Sequence, residues 1–167
     1  MCVKDVLVEL GSGHGHSLKT IATSQTIPKR IVCVEISPLF RKKLDEIKIE
    51  LPEELRTKIE IRGDDAKDMK CFLEDSSVSK VFAMNVVYFL DPLADYLTEL
   101  HRVLKKDGIL FWGCKFHAVP KDTEEFVNID EQVVVEAMKK AGFEVSSTFV
   151  DLGEGRLNYT ALIGRKL

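Results

Sequence analysis

Residues 9–15 read Glu9, Leu10, Gly11, Ser12, Gly13, His14, Gly15, and they continue without a break from the apolar run that starts at Val6. A short β-branched run that enters a glycine-rich turn, with a helical pattern from about His16, reads as the opening of a βαβ unit. In such a unit the ligand sits over the helix N-terminus, and alternate glycines let it approach the backbone because no Cβ stands in the way. Spacing separates the ligand classes. A dinucleotide site has GxGxxG, whose third glycine allows close helix packing and whose helix end holds a pyrophosphate. Here that third position is His16, the pattern is GxGxG, and an acid, Glu9, stands two residues before the first glycine. This suits a ligand with a cationic portion and no phosphates.

Moving outward, a second apolar run, Ile31 to Glu35, ends in a carboxylate twenty residues beyond Gly15. An acid at that place can accept hydrogen bonds from both hydroxyls of a ribose, so an adenosine-type ligand is implied. Ile36 follows it directly. A third run, Ile59 to Arg62, leads into Gly63, Asp64, Asp65, Ala66. There a carboxylate could accept from an exocyclic amine while the Ala66 N–H reaches a ring nitrogen. Either aspartate fits, and the position directly before Ala66 favours Asp65. A fourth run, Val81 to Asn85, ends in an amide followed by Val86, Val87 and Tyr88.

With these four motifs in this order, the chain resembles the class I S-adenosyl-L-methionine-dependent methyltransferases, closest to their small-molecule branch. The resemblance covers essentially the whole sequence. It implies that Glu9, Gly11, Gly13 and Gly15 cradle the methionine part of the cofactor, that Glu35 binds the ribose, and that Asp65 and Ala66 recognise adenine, with Ser12 and Ile36 also among the cofactor-binding residues. Asn85 falls where the family borders the sulfonium, and Leu100 to Leu110 resembles the stretch leading into the family's fifth strand. Two departures from the pattern stand out. The sequence opens almost at its first strand, without the usual N-terminal helical cap, and the segment from Lys115 to Ile129 is short. The expected pocket is therefore open, for a bulky substrate or for cover by a partner chain or a second copy.

The remaining pattern predicts the architecture. A fifth strand is expected at Ile109 to Cys114, and helices at Leu93 to Leu104 (Asp91 as N-cap, Pro92 in the first turn), from Ser37 and Pro38 with Phe40, Leu44 and Ile47 inward, and from Asp130 with Val133, Val134, Ala137 and Met138 inward, ending at Gly142. Two last strands, about Phe143 to Leu152 and Asn158 to Lys166, flank a Gly153, Glu154, Gly155 turn as an antiparallel hairpin at the sheet edge. The expected fold class is α/β: a doubly wound three-layer sandwich around a seven-strand, mostly parallel sheet with an antiparallel C-terminal hairpin. Ligands of such folds lie beyond the C-terminal ends of the strands.

Composition is consistent with one domain spanning 1–167: 45% hydrophobic, 31% charged. With 24 Lys+Arg against 27 Asp+Glu, the net charge of −3 offers little pull on a phosphate backbone, and nonspecific nucleic-acid binding is not expected. A small-molecule substrate is. Cys2, Cys33, Cys71 and Cys114 form no CxxC pair and read as reduced, mostly buried thiols of a cytoplasmic protein. Neither a signal sequence nor an eighteen-residue apolar run is present, so no membrane association is expected.

Methyl transfer from a sulfonium needs alignment more than acid–base help, and a base matters only when the acceptor carries a proton. The candidates are His117, just after the fifth strand, Tyr88, and His14 in the glycine loop, each weighed against a solvated or packing role. His101 reads as structural. Arg41 with Lys42, Lys105 with Lys106, and Lys139 with Lys140 read as solvated cations on outer helix faces or ends. No metal is expected, since His14 and His16 lack a partnering cluster. Two other classes compete: a cofactor-binding module or inactive subunit that needs a partner chain, and a nucleotide-dependent oxidoreductase supported by fold analogy alone. A nucleic-acid amino methyltransferase is disfavoured, because Asn85 to Tyr88 lacks that group's Pro-Pro-aromatic ending.

Overall fold

β1 (Val6–Leu10) and β2 (Arg30–Val34) are apolar at nearly every position, and both are buried on both faces. Such strands need helices above and below them, which dictates the layered arrangement. The computed structural model describes residues 5–24, 26–120, 124–153 and 158–167. Along the chain, β1 is followed by α1 (His16–Ala22), β2, α2 (Pro38–Glu50), α3 (Glu53–Arg56), β3 (Ile59–Arg62), β4 (Val78–Met84), α4 (Leu93–Val103), β5 (Leu104–Cys114), α5 (Glu131–Lys140), β6 (Phe143–Val150) and β7 (Tyr159–Lys166). Two 3₁₀ turns, Val87–Phe89 and Phe116–Ala118, follow β4 and β5.

The seven strands form one sheet in the order β3-β2-β1-β4-β5-β7-β6. β1 pairs in parallel with both β2 and β4, β2 with β3, and β4 with β5; β7 is antiparallel to both β5 and β6. β7 thus inserts between β5 and β6, and β6 is the edge. The chain builds outward from β1 to β3 and then restarts on the other side of β1 with β4. That reversal opens a crevice beyond the ends of β1 and β4, where this class of sheet binds its ligands.

Alternating residues of β2 sort the core into two clusters on opposite faces. Ile31 and Cys33 pack with Leu18 of α1, Leu44 and Ile47 of α2 and Leu55 of α3. Val32 and Val34 join the larger cluster with Leu97 and Leu100 of α4, Trp112 of β5 and Val134 and Met138 of α5. The expected three layers are therefore present. Between β3 and β4 the described residues form turns and no helix, and buried Met69 and Leu73 fill the place of one. Glu99 of α4 anchors this segment by accepting from the Met69 N–H at 2.6 Å, its charge met by Arg102.

Several expected boundaries shift. β2 and β4 each end one residue before the Glu35 and Asn85 that were read as their last residues, so both side chains sit on loops past the sheet. β5 begins at Leu104, because Leu104 pairs with Val78 instead of continuing α4. Pro92, not Asp91, occupies the N-cap of α4, with no side-chain cap. Val133 is exposed, since α5 points only Val134 and Met138 fully into the core. Ser37 and Asp130 cap α2 and α5 as expected, and Gly142 takes a left-handed φ of 95°. Among the described residues Cys33 and Cys114 are buried and Cys71 is exposed; Cys2 lies outside the described residues, as do Glu154 and Gly155 of the expected turn. No helix among the described residues is long and apolar enough to cross a membrane.

Candidate active site

The crevice at the reversal is a cavity of about 290 Å³ whose wall includes Gly11, Gly13, Glu35, Ile36, Asp65, Ala66 and Asn85. Seven of the ten cofactor residues expected from the sequence are thus brought together, from the ends of four different strands. Leu10, Val34, Phe40, Met84, Val86, Phe89, Leu90 and Tyr96 complete the wall and make it largely apolar.

The loop after β1 is held in place by its glycines in two different ways. Gly11 has φ 64°, and a Cβ there would stand 2.6 Å from Val86 Cγ2. Gly15 has φ 71° at the N-cap of α1, and its Cβ would stand 2.8 Å from Ile47 Cδ1 and 2.9 Å from Leu44 Cδ2. Gly15 is therefore fixed by packing of α1 on α2 and does not border the cavity. Gly13, with φ 48°, has only Gly11 O near its Cβ position, at 3.9 Å, so its missing side chain leaves open space.

Glu35 is buried, 6% exposed. Its Oε2 accepts from the Gly13 N–H at 2.9 Å and its Oε1 from the Ser37 N–H at 2.9 Å. One carboxylate therefore joins the glycine loop to the start of α2. Arg41 secures the same turn by donating to the carbonyls of Glu35 (2.9 Å) and Ile36 (2.7 Å), which corrects its reading as a solvated surface cation. Ile36, freed by this turn, is 71% exposed on the cavity rim.

Glu9 lies elsewhere. Its side chain is on the α1 side of the sheet, 7% exposed, beneath the loop and off the cavity wall, with Cys33 Sγ 3.9 Å from Oε2. Burial pushes the Glu9 carboxyl above its ordinary range; the Ser17 and Ser12 hydroxyls beside it pull downward less strongly, and the Glu35 charge adds to the rise. Ser12 is accordingly buried under the loop and does not line the cavity.

The two aspartates of residues 63–66 separate. Asp64 pairs with Arg62 at 3.0 Å, whereas Asp65 lines the cavity. Burial tends to raise Asp65, but the Lys67 N–H (3.1 Å), the Tyr96 hydroxyl and the Lys67 ammonium (3.2 Å) outweigh it and hold the carboxyl below its usual range. Tyr96 is driven up to about 12, first by burial and then by Asp65. Tyr96 falls at helical spacing on the buried stripe of α4 with Leu93, Leu97 and Leu100, and nothing in its local sequence signals that its hydroxyl reaches across to the β3 loop.

Asn85 adopts φ 56° and donates its N–H to Gly113 O at 2.8 Å, which turns its side chain to the junction of this cavity with a second hollow. Tyr88 lines that second hollow. Its hydroxyl accepts from the Lys115 N–H, and burial, with the neighbouring Cys114, keeps the phenol protonated well above its ordinary range. His117 lines neither cavity: it is exposed, its ring edge-on to Phe149 at 5.9 Å. His14 packs on Phe40 at 4.9 Å on the outer side of the loop. His101 is structural, as expected, edge-on to Phe143 at 5.4 Å.

Residues 8–112, well over half of the sequence, match the family model described as a methyltransferase domain. The chain belongs to that family. Its sheet order and closing hairpin make it a class I, Rossmann-like member, and S-adenosyl-L-methionine is the cofactor that membership implies. Among curated proteins no sequence match is found. Solved structures of the same fold include a Haloferax volcanii methyltransferase in complex with the Trm112 methyltransferase activator (TM-score 0.77, 18% identity, covering 99% of this chain and 83% of that one). A geranyl diphosphate C-methyltransferase from Streptomyces coelicolor, crystallised with Mg2+, geranyl diphosphate and S-adenosyl-L-homocysteine, has TM-score 0.77 at 17% identity and covers 100% of this chain and 74% of that one. The cyclase SpnF is as similar, at TM-score 0.77 and 15% identity over 98% and 75%. A cyclase among the neighbours shows that the fold alone does not fix the reaction.

The cavity fits the cofactor. Gly13 leaves room where a side chain would intrude, two carboxylates stand on its wall, and the rest is apolar enough for a purine face.

Proposed function

We propose that the protein is an S-adenosyl-L-methionine-dependent methyltransferase acting on a small-molecule acceptor. One observation carries this reading. A carboxylate offers about four lone-pair directions, and Glu35 uses two of them on the N–H groups of Gly13 and Ser37. The other two are available to the vicinal hydroxyls of a ribose, and the loop is already locked in the geometry that receives it.

When bound, the cofactor supplies an electrophilic methyl, which an acceptor lone pair takes in line as the C–S electron pair returns to sulfur and leaves a neutral thioether. Gly11 and Gly13 bring backbone against the methionine part. Ile36, exposed on the rim beside Glu35, would pack against the adenosine part, Asp65 would accept from the adenine amino group, and the Ala66 N–H would reach a ring nitrogen. Tyr96 positions Asp65 through its hydroxyl. Asn85 orients the end of the site where the two cavities meet. Glu9, Ser12 and Gly15 act from beneath, by shaping the loop. Tyr88 is assigned to the wall of the acceptor side and not to proton removal, and His117 has no part in this set.

A second reading is favoured by the apolar rim, where Ile36 and Phe89 of the cavity wall are exposed. In it the chain binds the cofactor but needs a partner chain, or a second copy, to cover the site. Incubating the purified chain with methyl-labelled cofactor and a metabolite panel separates the two: label in a small acceptor supports the first, and transfer only after a partner is added supports the second.

A further inference from the structure

Beside the cofactor cavity lies a second hollow of about 230 Å³, walled mainly by the apolar or aromatic Tyr88, Phe89, Ala118, Val119, Pro120 and Phe126, with Asn85 and Lys115 as its polar members. We propose that this hollow is the acceptor site and that its substrate is a compact apolar molecule of one or two rings; this rests on the methyltransferase reading above. Three observations support it.

The first is continuity. Asn85 and Phe89 belong to both walls, so a molecule in the hollow abuts the cofactor cavity across these two side chains. The second is rigidity. The 3₁₀ turn after β4 and the segment before α5 are stitched together by the Asn128 side-chain amide, which donates to Val87 O (2.9 Å) and Leu90 O (2.7 Å), by the Val127 N–H on Tyr88 O (2.8 Å), and by the Lys115 N–H on the Tyr88 hydroxyl. A hollow whose two sides are tied to each other keeps its shape before its ligand arrives, which lowers the ordering cost of binding.

The third is chemistry. Phe126 meets Phe89 at 5.4 Å and Tyr88 at 6.4 Å, both edge-on, so the wall presents ring faces and edges suited to a flat guest. A protein cavity of about 150 Å³ already admits benzene, and the larger hollow therefore accommodates a bicyclic ring such as indole. Asn85, at the junction, offers an amide to the polar atom of that guest.

The test uses indole as probe, imidazole as a polar control, and S-adenosylhomocysteine to fill the cofactor site. Indole is expected to bind the homocysteine-saturated protein by ligand-observed NMR, and imidazole is not. Ala118→Trp, which fills the hollow from its rim, is expected to weaken indole by about tenfold or more, and Phe126→Ala to weaken it by about fivefold. Both variants are expected to keep the S-adenosylhomocysteine affinity within about twofold, which also shows that they fold. Indole that fails to bind, is displaced by S-adenosylhomocysteine, or binds equally to Ala118→Trp overturns the acceptor assignment while leaving the cofactor site standing. A protein that takes no S-adenosylhomocysteine overturns the methyltransferase reading, and the acceptor assignment with it.

Discussion

The Glu35 carboxylate meets the Gly13 backbone N–H at 2.9 Å, so the acid after β2 holds the loop after β1. Ser37 makes the matching bond to the other oxygen. In Glu35→Gln the side chain keeps its shape but only one oxygen, and one of the two amides then faces an NH2 group. Hydrogen exchange of the Gly13 or Ser37 amide is expected to rise about five- to tenfold, in keeping with one lost hydrogen bond. Unchanged exchange at both amides contradicts this linkage.

Gly15 and Gly13 are expected to fail in different ways. An alanine at either position is strained by the left-handed backbone, but a Cβ at Gly15 also runs into Ile47 and Leu44, whereas one at Gly13 has only Gly11 O near it, at 3.9 Å. Gly15→Ala should therefore lower Tm by about 2–10 °C. Gly13→Ala should lose more in S-adenosylhomocysteine affinity than in Tm. Melting curves and calorimetry on the pair check this; equal losses in Tm would remove the distinction.

Glu9 gives a pH dependence. Burial raises its folded pKa above the ordinary 4.5, so the folded state holds the proton more tightly than the unfolded one. The resulting stability is complete below that ordinary value and is lost as pH rises through the folded value. Glu9→Gln, which is neutral at every pH, should be stabilised relative to the parent at neutral pH, with the gain shrinking toward about pH 4.5. Paired melts across that range measure it. A penalty that is largest at neutral pH and shrinks on acidification shows instead that the charged carboxylate is what the Ser12, Ser17 and Cys33 surroundings require, and one that does not vary with pH removes the linkage to Glu9 ionisation.

Tyr96→Phe keeps the ring in the core and removes only the hydroxyl that helps hold the Asp65 carboxyl low. S-adenosylhomocysteine affinity is expected to fall about three- to tenfold with little change in Tm, because Asp65 is partly exposed and its interactions are screened by water. A Tm loss as large as that of a core deletion, with affinity intact, assigns Tyr96 to packing alone.

Much of this was legible in local sequence. β1 and its glycine turn, the caps Ser37 and Asp130, and Glu35 at its set distance all announce themselves through residue type and spacing, because each acts within its own few residues. The end of the sheet that carries the cavity could be read from the alternation of strands and helices, since ligands of such folds lie beyond the strands' C-terminal ends, while the reversal between β1 and β4 is given by the strand order. What escaped depends on contacts between distant segments. The turns from Gly63 to Ser77 are anchored from outside their own span, where Glu99 of α4 accepts from the Met69 N–H and the Arg102 and Val103 carbonyls accept from Ser76 and Ser77. Arg41 looked like a surface cation, yet it satisfies two carbonyls of the β2 turn. Tyr96 reaches Asp65 across about thirty residues of chain. His117 shows the converse: it stands just after β5 as the sequence indicates, yet its ring lies against Phe149 and lines neither cavity.

The most direct measurement is a calorimetric titration of S-adenosylhomocysteine into the purified protein and into Glu35→Ala. The expected result is saturable binding at one site, weakened in the variant by at least about tenfold through loss of the charged acceptor for the ribose hydroxyls. No binding to the parent, or the same affinity in both proteins, contradicts the assignment of the crevice between β1, β2 and β4 to the cofactor.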